Sequence, residues 1–239
     1  MVTRGRQGFL PWEGEHDRMT ALTDEVARFV LATSPDPDET LIEMDERATA
    51  EGFPHVGPEV GPILRVLARM VDARRIFEFG SGYGYSAYWF AEALPADGEI
   101  VLTEVDDDRL ELAREYMQRG GYDDRARYEL GDALETVEDY DGPFDVVLID
   151  NEKDRYVEAF EAVRSTVPVG GVVVADNAMY ASPIQSGKLL EVLEGADVSG
   201  VNEATRGIAA YVERVRADPD FETVALPLGE GIAVSYRVR

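Results

Sequence analysis

Two strand-like segments end in side chains that could hold a cation. The apolar run of residues 144–149 is followed by Asp150, and the run of residues 171–175 is followed by Asp176 and Asn177. Because consecutive strands of a parallel sheet end at the same edge and often lie side by side, we expect these side chains to meet. Two carboxylates and an amide oxygen suit a hard divalent cation, with Mg²⁺ as first choice and Ca²⁺ or Mn²⁺ as alternatives. The competing interpretation is that these acids only cap the loops that follow the strands.

Lys153 could act as a general base beside that site. It is one of only two lysines in the chain, and it lies three residues after Asp150. Arginine stays protonated at any physiological pH, whereas a lysine near a metal or partly desolvated can lose its proton. We therefore expect Lys153 to reach a substrate hydroxyl, against the alternative of an ordinary surface lysine. The other lysine, Lys188, has no such neighbours and is interpreted as a surface residue.

The segment of residues 77–86, FEFGSGYGYS, has the composition of a nucleotide-binding turn. An apolar strand carrying Glu78 breaks into glycines at alternate positions, which let the backbone approach a ligand where a β-carbon would clash. The loop members that we expect at the ligand are Gly80, Ser81 and Gly82. A dinucleotide fingerprint would require glycine at position 85, where this chain has Tyr85, so a nicotinamide cofactor is disfavoured.

The next strand ends could complete a site for adenosine. Glu104 follows the glycine loop at a strand end and could accept hydrogen bonds from two ribose hydroxyls. Asp132, at the end of the third strand, could accept from the amine of adenine. Ser86 opens the helix after the glycine loop, where a hydroxyl and free backbone amides suit a carboxylate.

Strand and helix patterns alternate along the chain from residue 75 onward. The strand candidates are residues 75–79, 100–104, 126–130, 144–149, 171–175, 221–226 and 231–238, and the helical candidates are residues 59–72, 86–94, 107–119, 133–138, 154–167 and 183–216. This alternation predicts a Rossmann-like α/β domain with a mostly parallel seven-stranded sheet, helices on both faces and a C-terminal antiparallel hairpin. We place this domain at residues 53–239. Residues 1–52 are interpreted as an arm (1–12) and two helices (15–33 and 38–51) added to it.

Composition and charge indicate the environment of the protein and exclude some kinds of chemistry. The chain has 48 acids against 23 bases, a formal charge of -25, and no cysteine. Such a charge repels itself in a compact state, and molar salt screens that repulsion, so a protein from a high-salt cytoplasm is favoured over an acidic mesophilic protein.

The lack of cysteine excludes disulfides and thiolate chemistry. No apolar run approaches the ~18 residues of a membrane span, so we expect a cytoplasmic protein without membrane contact. The lack of a basic stripe disfavours nucleic acid as a partner.

Several of these segments together resemble a known family. E-x-G-x-G-x-G is similar to motif I of class I S-adenosylmethionine-dependent methyltransferases. FDVVLIDNEKDRY and GGVVVADN are more specific and resemble the metal-dependent O-methyltransferases, which include the catechol and caffeoyl-CoA enzymes. The resemblance runs from about Phe53 to the C-terminus.

The resemblance implies roles for particular residues. Contacts with S-adenosylmethionine are implied for Val56, Glu78, Gly80, Ser81, Ser86, Glu104, Ala133 and Asp150. The metal ligands would be Asp150, Asp176 and Asn177, with Lys153 as the base. The implied reaction is methyl transfer to a small hydroxylated, catechol-like acceptor. A hydroxylated tRNA nucleoside as acceptor and a non-catalytic cofactor-binding protein are the alternatives. Family members are often homodimers, so a second copy is a candidate partner.

The chain also departs from the family pattern. The usual D-A-x-K is here Asp150-Asn151-Glu152-Lys153, so the lining beside the ligand and the base differs. The segment of residues 178–203 is longer than the usual connection and could form a lid over the acceptor. Trp12 and Tyr180 could shape that pocket, or could simply pack.

Overall fold

Seven strands form one sheet in the computed structural model of the chain, which describes residues 22–239. The strands are β1 (Arg75–Phe79), β2 (Glu99–Glu104), β3 (Ala126–Leu130), β4 (Val146–Ile149), β5 (Val172–Ala175), β6 (Phe221–Leu226) and β7 (Ile232–Arg237). Their order is β3-β2-β1-β4-β5-β7-β6. The first five are parallel, and β7 runs antiparallel to both of its neighbours. The predicted fold class is therefore confirmed.

Helices lie before and between the strands. Within residues 22–239 they are α1 (Asp24–Thr33), α2 (Glu39–Glu51), α3 (Gly61–Met70), α4 (Tyr85–Ala91), α5 (Asp107–Gly120), α6 (Ala133–Thr136), α7 (Tyr156–Val163), α8 (Ser186–Leu193) and α9 (Glu203–Ala217). Short 3₁₀ turns occupy Asp123–Arg125, Val137–Asp139 and Lys153–Arg155. In the described part of the chain, no helix is long and apolar enough to span a membrane.

The predicted helical region 183–216 is wrong as one continuous stretch. It consists of α8 and α9, separated by a turn in which Gly195 and Gly200 have positive φ angles of 89° and 69°. A new helix then starts where the side chain of Asn202 accepts a hydrogen bond from the backbone of Thr205 at 2.9 Å. This is an N-cap, which provides a partner for an otherwise unpaired amide.

The first predicted helix, 15–33, is described from Leu22 onward, and its predicted extent is wrong there, because the helix begins at Asp24 with Thr23 as its N-cap. The arm 1–12 with Trp12, and residues 15–21 of that predicted helix, lie outside the described residues. In α2, Leu41, Met44 and Ala48 are buried in the core. The hydroxyl of Tyr83, in the glycine loop, donates to the backbone oxygen of Met44 at 3.1 Å, so α2 supports that loop.

Two cores lie on opposite faces of the sheet. In β4, Val146 and Leu148 pack with helices α2 to α5, whereas Val147 and Ile149 pack with helices α6 to α9. Because both faces are covered, β4 and β5 are apolar throughout rather than alternating with polar residues, whereas β1 carries the buried Glu78. The strand β4 leaves the core after Ile149, and this places Asp150 at the carboxyl edge of the sheet.

Candidate active site

A cavity of about 270 Å³ opens at the carboxyl ends of β1, β4 and β5. Its wall includes seven of the predicted cofactor residues: Val56, Gly80, Ser81, Gly82, Ser86, Glu104 and Asp150. It also includes Lys153 and the other two predicted metal ligands, Asp176 and Asn177. Side chains chosen from separate sequence motifs are thus brought to one cavity, at the position where α/β sheets bind ligands.

The glycine loop has the backbone that only glycine adopts readily. Gly80, Gly82 and Gly84 have φ angles of 81°, 53° and 83°. A β-carbon at Gly80 would lie 2.7 Å from the backbone oxygen of Asp150. Gly80 is therefore required for the contact of this loop with the end of β4, in addition to the close ligand approach predicted from the sequence.

The Glu104 carboxylate is held by backbone amides. One oxygen accepts from Gly82 at 2.9 Å, and the other accepts from Val105 at 2.9 Å and Asp106 at 3.0 Å. A carboxylate has about four acceptor positions, so capacity remains for a ligand hydroxyl. The hydrogen bond to Gly82 also ties the end of β2 to the glycine loop.

Glu78 lies behind this loop and outside the cavity wall, with no exposed surface. Neither carboxylate oxygen has a hydrogen-bond partner within residues 22–239. Burial raises the pKa of Glu78 to about 8; the nearby Ser86 hydroxyl opposes the rise, and the charge of Asp150 adds to it. A buried acid without a partner is costly in a protein interior, so a ligand cation or amino group near this point would stabilise it.

Asp132 and Ala133 also lie outside the cavity wall. One oxygen of Asp132 caps α6 by accepting from the backbone of Leu134 at 2.9 Å, and the other is 2.7 Å from Nη1 of Arg155. This arginine holds the pKa of Asp132 below its usual range. Both oxygens therefore already have a protein partner, and adenine contact at Asp132 stays a prediction.

The three predicted metal ligands meet as the strand order requires. The strands β4 and β5 are neighbours with Ile149 opposite Ala175, so Asp150 and Asp176 leave the sheet side by side. Asp176 is 2% exposed, and its Oδ1 has no hydrogen-bond partner in the described part of the chain. Burial raises the pKa of both aspartates, and the charge of Asp150 raises that of Asp176 further. A bound cation would stabilise the charged form of both aspartates, so the oxygens of Asp150, Asp176 and Asn177 fit a divalent metal ion.

Asn177 completes this set with backbone in the left-handed region, at a φ of 53°. Asparagine is one of the few residues other than glycine that tolerates this region. Among residues 22–239, no group of three or more His, Cys, Asp or Glu residues is placed to hold a metal ion. A cation here would therefore depend on the amide oxygen of Asn177 as well as on the two aspartates.

Lys153 is not a surface lysine. Its side chain is 17% exposed, and Nζ donates to Asp150 Oδ1 at 2.9 Å, to the backbone oxygen of Asn151 at 3.2 Å and to the Tyr156 hydroxyl at 2.8 Å. The Tyr156 hydroxyl in turn donates to the backbone oxygen of Asp176 at 3.1 Å. Lys153 and two of the candidate metal ligands are therefore joined by one hydrogen-bond network.

Other residues of the cavity wall could not be identified from their local sequence. His55 is nearly buried; its Nδ1 accepts from the backbone of Gly57 at 3.1 Å, and its Nε2 lies 3.3 Å from Asp45 Oδ1. Glu230 comes from the turn between β6 and β7, which lies over the cavity only because β7 pairs with β5. No pattern around either residue indicates a site.

The first part of the 178–203 segment borders the cavity. Ala181 and Ser182 contribute to its wall, and the backbone of Tyr180 donates to the oxygen of Glu230 at 2.8 Å. The wall does not include the Tyr180 side chain or helix α8. A lid function for the rest of this segment stays a prediction.

Comparison with known proteins agrees with this arrangement. Residues 32–238 match the family model described as O-methyltransferase. A catechol O-methyltransferase of Niastella koreensis is 34% identical over 161 residues, covering 64% of this chain and 70% of that protein. Caffeoyl-CoA O-methyltransferase 2 of Populus trichocarpa is 25% identical, covering 91% of this chain and 90% of that one.

A similar solved structure is the O-methyltransferase TomG of Streptomyces achromogenes, determined in complex with S-adenosylmethionine. The TM-score is 0.77 at 25% identity, covering 90% of this chain and 96% of that one. The family model covers most of the chain and includes every residue of the cavity wall. The chain therefore belongs to the O-methyltransferase family, the class I S-adenosylmethionine-dependent enzymes of the catechol and caffeoyl-CoA type.

Proposed function

We propose that the protein transfers the methyl group of S-adenosylmethionine to one of two adjacent hydroxyls on a small acceptor, with help from a divalent cation, Mg²⁺ first. The observation that carries the proposal is the contact of Lys153 with Asp150, 2.9 Å apart, in the same cavity as Asp176 and Asn177. A candidate base and three candidate metal ligands thus line one cavity.

Residues in and behind the cofactor side of the cavity offer partners for the ribose hydroxyls and the amino group of the cofactor. The backbone of Gly80 and Gly82 would pack against its methionine part, and Glu104, held by three amides, would accept from its ribose hydroxyls. The unpaired carboxylate of Glu78 would be stabilised by an amino group. This fit supports S-adenosylmethionine as the cofactor.

The chemistry divides between the bound groups and the protein. The cofactor would supply a methyl group on a good leaving group, and the cation would supply positive charge beside the acceptor oxygens. Lys153 would take the proton of the acceptor hydroxyl at Nζ. To accept this proton Nζ must be the neutral amine, which has two N–H donors and one lone pair, so one of its three present hydrogen bonds would give way to the acceptor hydroxyl. The rest of the protein contributes positioning and water exclusion.

The charge around the cavity favours a neutral acceptor over a coenzyme A ester. Its wall carries Glu104, Asp150, Asp176 and Glu230 against Arg109 and Lys153, in a chain with a formal charge of -25. The phosphates of a coenzyme A ester would be repelled by such a field in ordinary buffer. We therefore propose a catechol-like acceptor without phosphate groups.

A methyl-transfer assay in about 2 M KCl tests this proposal. We expect transfer from S-adenosylmethionine to 3,4-dihydroxyphenyl compounds with Mg²⁺ and loss of transfer with a chelator. Repulsion of a matched coenzyme A ester should lower its transfer only at lower KCl, because about 2 M salt screens the charge of the cavity. Asp176→Asn should lose the Mg²⁺-dependent rate, whereas Asp197→Asn, at an exposed position in the α8–α9 turn, should keep it. Full activity in the presence of chelator would remove the cation from the proposal.

A further inference from the structure

Glu230 contacts the candidate metal site from a distant part of the sequence. It lies in the turn between β6 and β7, and its Oε2 accepts a hydrogen bond from Nδ2 of Asn177. The same turn pairs with the chain after Asn177 through two backbone hydrogen bonds: Ala178 donates to the oxygen of Gly231 at 2.7 Å, and Tyr180 donates to the oxygen of Glu230 at 2.8 Å.

We propose that Glu230 is a positioning residue that fixes the side-chain amide of Asn177 with its oxygen toward the cation. An ionised carboxylate can only accept hydrogen bonds. The nitrogen of the Asn177 amide must therefore face Glu230, which leaves Oδ1 on the opposite side of the amide. An amide is otherwise free to turn, and the reversed amide would present N–H groups to a cation. The inference rests on the cation in the proposed function.

Glu230 acts here through Asn177 rather than as a ligand. Within residues 22–239, the carboxylates of Glu230, Asp150 and Asp176 are not placed to hold a metal ion together. Residues that hydrogen-bond to a metal ligand fix its orientation, and their loss usually weakens metal affinity by ~10–100-fold. Glu230 makes such a hydrogen bond to Asn177, so its loss should weaken metal affinity in the same way.

The β6–β7 turn is itself tightly packed, so the carboxylate of Glu230 is presented from a fixed backbone. Gly231 has a φ of 86°, and a β-carbon there would lie 2.5 Å from the side chain of Met179. Gly229 has a φ of 56°, and a β-carbon there would lie 2.9 Å from Val60. Because both flanking residues fit only as glycine, the turn holds Glu230 against the segment that carries Asn177.

The Glu230→Gln variant tests the proposal with little change in shape. A glutamine amide can donate or accept, so it no longer distinguishes the two ends of the Asn177 amide. We expect the Kd for Mn²⁺, measured by titration calorimetry on the protein without cofactor, to rise by ~10-fold or more. Affinity for S-adenosylmethionine, measured without metal, should change by less than about twofold, because Glu230 lies on the metal side of the cavity.

Glu222→Gln is the matched control, since it removes the same charge from an exposed position in β6 of the same hairpin. Measuring both variants in about 2 M KCl screens long-range charge effects. The Asn177→Ala variant provides the second test. If Glu230 acts through Asn177, adding Glu230→Gln to Asn177→Ala should cause no further loss of Mn²⁺ affinity.

Three results would overturn the inference. They are an unchanged Mn²⁺ affinity in Glu230→Gln, an equal loss in Glu222→Gln, or an additive loss in the double variant. If the unmodified protein binds S-adenosylmethionine but no divalent cation, the cation part of the proposed function fails as well. If only the inference about Glu230 fails, the unmodified protein still binds Mn²⁺.

Discussion

A β-carbon added to Gly207 would lie 2.3 Å from the backbone oxygen of Lys153 and 2.5 Å from the Cα of Asp154. Gly207 is in α9, about 50 residues after the lysine in the sequence, and only a glycine lets the helix approach that turn so closely. One helical turn further along α9, Tyr211 packs edge-on against the ring of Tyr156 at 5.6 Å. Helix α9 therefore supports the turn that carries the candidate base.

Gly207→Ala should displace Lys153. Alanine favours helix over glycine by about 1 kcal/mol, but the clash is with backbone and cannot be relieved by a side-chain movement. We expect kcat to fall by ~10-fold or more with a small change in S-adenosylmethionine affinity, because the glycine loop is on another element. Gly187→Ala in α8 is the control, since a β-carbon there meets nothing within 4 Å. Equal kcat in the two variants would contradict a supporting role for α9.

Tyr156→Phe should lower both activity and stability. The hydroxyl accepts from Lys153 and donates to the backbone oxygen of Asp176, so phenylalanine removes a contact that positions Nζ of the lysine and leaves a buried carbonyl without this partner. We expect kcat to fall by ~10-fold and the free energy of unfolding to fall by ~1–2 kcal/mol. Tyr140→Phe, which removes a hydroxyl bonded to Glu129 at 2.6 Å outside the cavity wall, should lower stability without affecting kcat. A kcat loss of the same size in both variants would indicate a general structural effect.

Glu78 should make the unfolding free energy of the cofactor-free protein depend on pH. In the folded state burial raises its pKa to about 8, from a usual value of 4.5. The folded state therefore keeps the proton over a range in which the unfolded state has lost it. The stability associated with Glu78 is fully present below about pH 4.5, falls as pH rises, and levels off above about pH 8.

Glu78→Gln removes this titration. Compared with the unmodified protein, we expect the variant to gain on the order of a few kcal/mol between pH 5 and pH 9 in urea unfolding at constant KCl. Glu138→Gln, at an exposed position, is the control. Parallel pH curves for Glu78→Gln and the unmodified protein would mean that Glu78 does not titrate in this range. Affinity for S-adenosylmethionine should fall in Glu78→Gln, since the carboxylate is the proposed partner of its amino group.

The excess of acids should make stability depend on salt. With a formal charge of -25, we expect the unfolding temperature to rise as KCl is increased from about 0.1 M to about 2 M. Screening depends on ionic strength rather than on the cation, so NaCl at equal concentration should give a similar rise. A flat response in both salts would contradict the proposed high-salt origin.

Most of the fold could be predicted from the sequence because its signals are local. The strands β1, β3 and β6 are predicted to the residue, since charged, glycine or proline residues flank them. The continuous helix over 183–216 is wrong because helical spacing of apolar residues continues on both sides of the Gly195–Gly200 turn. The grouping of Asp150, Asp176 and Asn177 was predictable because neighbouring parallel strands end together.

The parts of the site that were missed depend on long-range packing. Glu230 reaches Asn177 only because β7 inserts between β5 and β6, and Gly207 matters only because α9 crosses the Lys153 turn. Neither contact leaves a signal within a short window of sequence. The environment of Asp132 likewise depends on Arg155, from a different loop.

The contact between Gly80 and the backbone of Asp150 joins the two halves of the cavity. Asp150 is the proposed ligand of the cation and also a proposed contact of the cofactor, and the loop that cradles the cofactor rests against it. If cation binding orders this contact and so raises the affinity for the cofactor, cofactor binding must raise the affinity for the cation by the same factor, because coupling between two binding equilibria is reciprocal. Cation and cofactor should therefore each tighten the binding of the other, and the acceptor would meet an enzyme that is either fully loaded or largely empty.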